Sequence, residues 1–256
     1  MEITDGVVVA GPCPVSSYFD DKFEVMQDGH NNHKGEFLLC YEKQLQYIEP
    51  FLQGPKVIVD VGCGPGIRYH RGTQCRVIGL EPSFHSIRVN NDVDVRLCGS
   101  AKEMPFANHS VDAIICLYSI HHMVGWSRME THDNVRKAFQ EFARVLKPEG
   151  DLFVAEMNPT SLSWLAQRVF WNSARRILQG KLDQLFWSGS ELKLLAEQVL
   201  PKTNLTQIVP EVSPWMMIPP IFSLPWLKVP RIFFPLRSSL FHWALRSDSP
   251  VSFAAA

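Results

Sequence analysis

Apolar positions along the chain follow two periods. Short runs rich in Val, Ile and Leu occur at 56–61 (KVIVDV), 76–81 (RVIGLE), 94–98 (DVRLC), 111–119 (VDAIICLYS) and 151–156 (DLFVAE). Such runs predict buried strands. Between and around them the spacing becomes helical, at 35–52, 134–150, 160–180 and 188–200. In the second of these Val135, Ala138, Phe139, Phe142, Val145 and Leu146 share one face, and Pro148 and Gly150 close it. Ser188 or Ser190 is placed to cap the last. Residues 204–212 and 239–247 predict two more strands. Strands alternating with helices specify an α/β fold with a doubly wound, mostly parallel, seven-stranded sheet. Ligands of such sheets sit at the carboxyl ends of the strands.

The organisation expected is an irregular segment at 1–34 acting as a lid, a core at 35–159, and an aromatic, basic cap at 160–256 that contributes the last strands. Six prolines between 214 and 247 forbid one long helix there. The 256 residues, 46% of them hydrophobic, are enough for a substantial core. Formal net charge is only -1, so overall charge selects no partner. Its distribution is uneven, however: 15 Lys/Arg against 21 Asp/Glu in 1–159, and 10 against 4 in 160–247. A basic second part suits an anionic surface or ligand. The six cysteines show no metal-binding spacing and are expected to be reduced and buried. His30 and His33 lie three apart without companions, and no metal is expected. No basic, apolar leader and no membrane-length run is visible, which gives a cytoplasmic, membrane-associated or freely soluble protein as the expectation.

The stretch VDVGCGPG (59–66) carries the clearest chemistry. Gly62, Gly64 and Gly66 follow a strand, where bare backbone lets a cofactor approach. Glu81 comes 21 positions after Asp60, at the tip of the next strand, placed to accept from two ribose hydroxyls. The spacing is GxGxG rather than the GxGxxG of dinucleotide binders, and Asp60 stands just before it. A carboxylate repels a pyrophosphate and attracts a sulfonium or ammonium. S-adenosyl-L-methionine carries both cations and a ribose, so it is preferred over NAD.

Four segments in order, VDVGCGPG, GLEPS (79–83), CGSAKEMPFANHSVDAIICLYSIHHM (98–123) and EFARVLKPEGDLFVAE (141–156), resemble the class I S-adenosylmethionine-dependent methyltransferases, in particular the methyltransferase type 11 group that includes quinone-ring methylases. The resemblance implies a Rossmann-like methyltransferase fold. It places Asp60 and Gly62 at the methionine moiety, with Cys63 in the turn that Gly64 and Gly66 shape. Glu81 falls at the ribose, Pro82 beside the adenine, Ser100 and Ala101 near the adenine, and Leu117 under the cofactor. Ser100 stands where the group often has an acid, so it would accept only as a neutral oxygen. The helix after the glycine turn is expected to be a turn or two, because 67–74 is short and contains Gly72.

Methyl transfer needs a base only when the acceptor is protonated. His121 and His122, just past the fourth strand, are the candidates for acceptor contact or base, and sequence does not separate them. The acceptor expected is small and hydrophobic or lipid-like, with oxygen or carbon slightly favoured over nitrogen. Trp, Phe and Met accompany Lys and Arg at 161–179 and 214–237, which suits either a cap core or contact with a membrane surface. Transfer RNA is a weaker alternative, because no dense basic stripe exists. A cofactor-binding scaffold without activity is another.

Overall fold

Val57–Val61 (β3), Arg76–Glu81 (β4), Val95–Cys98 (β5) and Val111–Leu117 (β6) are the middle of one sheet, all parallel to one another. The computed structural model describes residues 2–10, 37–178, 182–200, 203–209 and 236–245. The remaining strands are Glu2–Thr4 (β1), Val7–Val9 (β2), Leu146–Pro159 (β7), Asn204–Ile208 (β8) and Leu236–Ala244 (β9). Strand order is β1-β2-β5-β4-β3-β6-β7-β9-β8. Seven of these nine strands, β3 to β9, are the expected doubly wound sheet, with β9 antiparallel between β7 and β8.

The other two correct the expectation that the amino-terminal residues are irregular. Asp5 and Gly6, both at positive φ, turn a hairpin whose second strand pairs in parallel with β5. Val7 is fully buried there, which accounts for placing an isolated three-residue run in the sheet. Whether residues 11–36 form a lid falls outside the described residues.

Helices Phe37–Ile48 (α1), Phe84–Val89 (α2), Arg128–Val145 (α3), Ser161–Ile177 (α4) and Gly189–Glu197 (α5) flank the sheet. The predicted face of α3 is wholly buried: Val135, Ala138, Phe139, Phe142 and Val145 pack with Trp187, Leu192 and Trp243 on one side of the sheet. On the other side Leu45, Ile48 and Leu52 pack with Ile87 and Phe153. α3 starts earlier than its apolar pattern suggests because Ser127 caps it, accepting from Glu130 N at 3.1 Å. Ser188, not Ser190, is the N-cap of α5, with Glu191 completing a capping box.

No helix forms between the glycine turn and β4. Residues 67–75 are instead tied as a loop: Ile67 N donates to Asp92 (3.1 Å), His70 N to Glu49 (2.8 Å) and Gly72 N to the Leu52 carbonyl (2.9 Å). Arg71 adds an ion pair with Asp94 and a bond to the Cys75 carbonyl. These partners satisfy backbone groups that a helix would have paired internally. Cys63, Cys75 and Cys116 are free buried thiols as expected, whereas Cys98 is disulfide-bonded, against the expectation of reduced cysteines throughout.

Candidate active site

The carboxyl ends of β3, β4 and β6 bring the sequence candidates together. Gly62 N donates to the Leu80 carbonyl at 2.8 Å, so the glycine turn is anchored across to β4. Glu81 is buried, and its two oxygens accept from Gly64 N and Ser83 N, both at 3.0 Å. These two amides hold the carboxylate in position. Pro82 follows at the rim, half-buried. Asn90, at the end of α2, closes the turn from below by donating to the Gly64 carbonyl at 2.9 Å.

The three glycines have different reasons. Gly62 is at φ +71°, and a Cβ there would fall 2.1 Å from Ser119 Oγ. Its close neighbour is thus the protein's own Ser119, whose hydroxyl donates to the Gly62 carbonyl at 3.2 Å. Gly64 is at φ +61°, and among the described residues nothing lies within 4 Å of where a Cβ would be. Gly66 is buried and is not in the left-handed region. Gly62→Ala is expected to cost about 3 kcal/mol or more, from left-handed strain plus the clash. Thermal unfolding checks this, and Gly62→Ala/Ser119→Gly should recover the steric part alone, because Ser119 Cβ as well as Oγ would crowd the new methyl, at 2.6 Å. An unaltered melting temperature for the single variant would refute the assignment.

Asp60 ends β3 almost fully buried, and Tyr69 Oη donates to it at 2.9 Å. Burial pushes its pKa up to about 7; the Tyr69 hydrogen bond opposes this and the nearby Glu81 charge adds to it. Burial also raises the Cys63 thiol well above its ordinary value. Tyr41 stands near Asp60 and Arg68, its hydroxyl pKa raised chiefly by burial. This environment holds a carboxyl ready to ionise when a cation arrives.

Ser100 and Ala101 follow β5 next to the Glu81 strand, both half-buried, and Gly99 N donates to the Glu81 carbonyl at 3.2 Å. Ser100 Oγ already accepts from Lys102 N at 3.2 Å, so part of its accepting capacity is engaged. Leu117 ends β6, half-buried. The next residue, Tyr118, adopts φ +55°, a conformation that costs a bulky residue energy. Its hydroxyl contacts Gln44 and Ser238, both at 2.6 Å, which ties the turn to α1 and β9.

The structure separates the two histidines. His121 is buried in a one-turn helix, Ile120–His122, with Nδ1 2.7 Å from Glu156 Oε2. Its ring stacks on Phe186 at 5.1 Å, and His122 lies alongside at 4.2 Å, half-buried. Sequence reasoning missed Tyr69, Asn90, Ser119 and Glu156. Glu156 alone had a signal, an acid closing a strand run as Glu81 does. The chemistry of the site suits S-adenosylmethionine: a buried acid, a glycine turn and a carboxylate anchored by backbone amides at one end of the sheet.

Comparison with known proteins agrees. Residues 59–154 match a family described as a methyltransferase domain. This stretch is a methyltransferase domain. It contains the glycine turn, Glu81 and both histidines. An uncharacterised protein of Methanocaldococcus jannaschii is 26% identical over 106 residues, 41% of this chain and 43% of the relative. The malonyl-(acyl-carrier protein) O-methyltransferase of a Methylovorus species is 26% identical over 145 residues, 48% and 44% of the two chains. The matches thus span about half the length of the curated relatives. Among solved structures, a chain of the Haloferax volcanii Trm112 methyltransferase-activator complex aligns over 92% of this chain and 99% of its own, at TM-score 0.61 and 16% identity. The 4+2 cyclase SpnF aligns over 93% and 98%, at 0.59 and 14%. Geranyl diphosphate methyltransferase, solved with its substrate and sinefungin, aligns over 80% and 78%, at 0.54 and 17%. These likenesses give the domain its Rossmann-like methyltransferase fold. One of these three proteins is a cyclase, so the fold leaves the chemistry to the site.

Proposed function

We propose that the protein transfers a methyl group from S-adenosylmethionine to a small hydrophobic or lipid-like acceptor, at oxygen or carbon. The observation that carries this is the buried pair Asp60 and Glu81 beside the glycine turn, with Glu81 bonded to Gly64 N. Asp60 and Gly62 would hold the methionine end, Glu81 the ribose, and Pro82, Ser100 and Ala101 the adenine side. When bound, the cofactor supplies an electrophilic methyl on a sulfonium. The chain's own work is then to orient the acceptor, exclude water and accept a proton where the acceptor carries one. His121, whose ring Glu156 holds at 2.7 Å, would take the last role.

Contact with a membrane surface is part of this proposal for residues 161–179. α4 has no acidic residue and carries Arg168, Arg175 and Arg176. It buries only Trp171, while Leu162, Val169, Phe170 and Ile177 are each at least 59% exposed. An apolar stripe flanked by cations supports seating in a headgroup zone. Among the described residues no helix is long and apolar enough to cross a membrane. The second expected contact, 214–237, falls outside the described residues save its last two.

The test uses purified protein and methyl-labelled S-adenosylmethionine on an extract of its own cells, separated into organic, aqueous, RNA and protein fractions. Label in the organic fraction, absent with Asp60→Ala, is the expected result. Label in RNA would overturn the acceptor class. Cofactor binding without label in any fraction would favour a scaffold role.

A further inference from the structure

Glu156 lies within the buried stretch of β7 and is completely shielded from solvent. Oε1 accepts from Ile120 N at 2.7 Å and His121 N at 3.3 Å. Oε2 accepts from Met157 N at 3.3 Å and lies 2.7 Å from His121 Nδ1. A carboxylate buried on this scale persists only with such a set of donors. The backbone amides account for three of them. The fourth is the imidazole of His121, two residues past Ser119, whose hydroxyl donates to the Gly62 carbonyl of the glycine turn.

We infer that Glu156 is a positioning residue that fixes the proton of His121 on Nδ1 and so leaves Nε2 as the proton acceptor at the methyl-transfer site. An ionised carboxylate only accepts hydrogen bonds, so the ring nitrogen facing it must carry hydrogen. In the neutral ring the lone pair then belongs to Nε2. Phe186 stacks on one side of the ring, and the Leu185 amide holds the His121 carbonyl at 2.9 Å. The ring therefore has neither a free tautomer nor a free orientation. Around it stand Glu156 from β7, His122 from its own turn and Phe186 from the segment before α5. Cys116 on β6 is close enough to Glu156 for that charge to raise its thiol further, after burial.

This inference rests on the methyl-transfer reading and assigns the proton step within it. As the acceptor attacks, its X–H bond breaks and its electron pair enters the new bond to the methyl carbon. The carbon–sulfur pair stays on sulfur, which becomes a neutral thioether. The proton moves to Nε2, and the imidazolium charge faces the Glu156 carboxylate, which itself remains unprotonated. Water then takes the proton from Nε2.

The test combines imidazole nitrogen NMR with kinetics on the full-length protein. In the wild type, His121 is expected to show hydrogen on Nδ1. Glu156→Gln, which keeps size and an acceptor oxygen for the backbone amides, should release that preference. It should also lower kcat by about 100-fold with the cofactor KM unchanged. Glu156→Asp should restore part of the rate. Thermal unfolding identifies a variant that has lost its fold, and His121→Gln then supplies the comparison. Hydrogen on Nε2 in the wild type, or a folded Glu156→Gln protein with full kcat, would overturn the inference. The NMR result decides the His121 tautomer even if no acceptor is methylated, an outcome that counts against the methyl-transfer reading alone.

Discussion

Glu81→Ala is expected to weaken S-adenosylmethionine binding by about 100-fold. The carboxylate is clamped by Gly64 N and Ser83 N, so it enters binding already oriented and loses little freedom. Two charge-assisted bonds to ribose hydroxyls are each worth about 1.5 kcal/mol or more, and about 1.4 kcal/mol is tenfold in affinity. Removing the side chain also strands both amides, so fold and affinity need separate readings. Glu81→Gln serves for this: one oxygen remains for the clamp, and the charge is gone. Calorimetric titration should rank wild type, Gln and Ala in falling affinity. Equal affinity in all three would remove Glu81 from the ribose position and, with it, the strongest support for this cofactor.

Asp60 should make cofactor binding depend on pH. Its carboxyl titrates near 7 in the folded chain, against an ordinary value of 3.8. A sulfonium and an ammonium favour the ionised form, so binding releases a proton and affinity rises from pH 6 to pH 8. Asp60→Asn should bind more weakly at pH 8 by about tenfold or more and lose that slope. Stability moves the other way. Between about pH 4 and pH 7 the folded chain keeps a proton that the unfolded chain has released. Asp60 therefore costs stability progressively over that window and costs most above it. The unliganded Asp60→Asn protein is expected to melt higher than wild type at pH 8 and closer to it at pH 4. A wild-type affinity flat across this range, in calorimetry corrected for buffer protonation, would show that Asp60 does not meet a cation. Opposed effects on stability and binding are a common mark of a functional residue.

The elements that sequence reasoning located best are those with strong periodicity. The buried face of α3 and the four central parallel strands were legible because their apolar residues face one core in one register. The β1–β2 hairpin was not, since three residues of strand carry no period until an edge such as β5 pairs with them. The missing helix after the glycine turn was only half visible. Gly72 weakened it locally, but Glu49, Asp92 and Asp94, which hold the loop instead, lie 21 to 25 positions away. The apolar 161–179 helix was recognised as such, but its exposure depends on what packs beside it.

The site divides in the same way. The chain itself encodes the glycine turn, the acid 21 residues after Asp60, and two histidines after the fourth strand, because a nucleotide-like cofactor must be met by contiguous backbone and strand tips. That much, with the α/β alternation, is written in local order. Only the tertiary structure decides which histidine is held and by what. Glu156 lies 35 residues from His121 and reaches it solely because β6 and β7 are neighbours in register. It likewise decides that Gly62 is required by Ser119, 57 residues away, rather than by a ligand. Close packing between distant segments sets these contacts, and a one-dimensional pattern records periodicity and spacing, not partners.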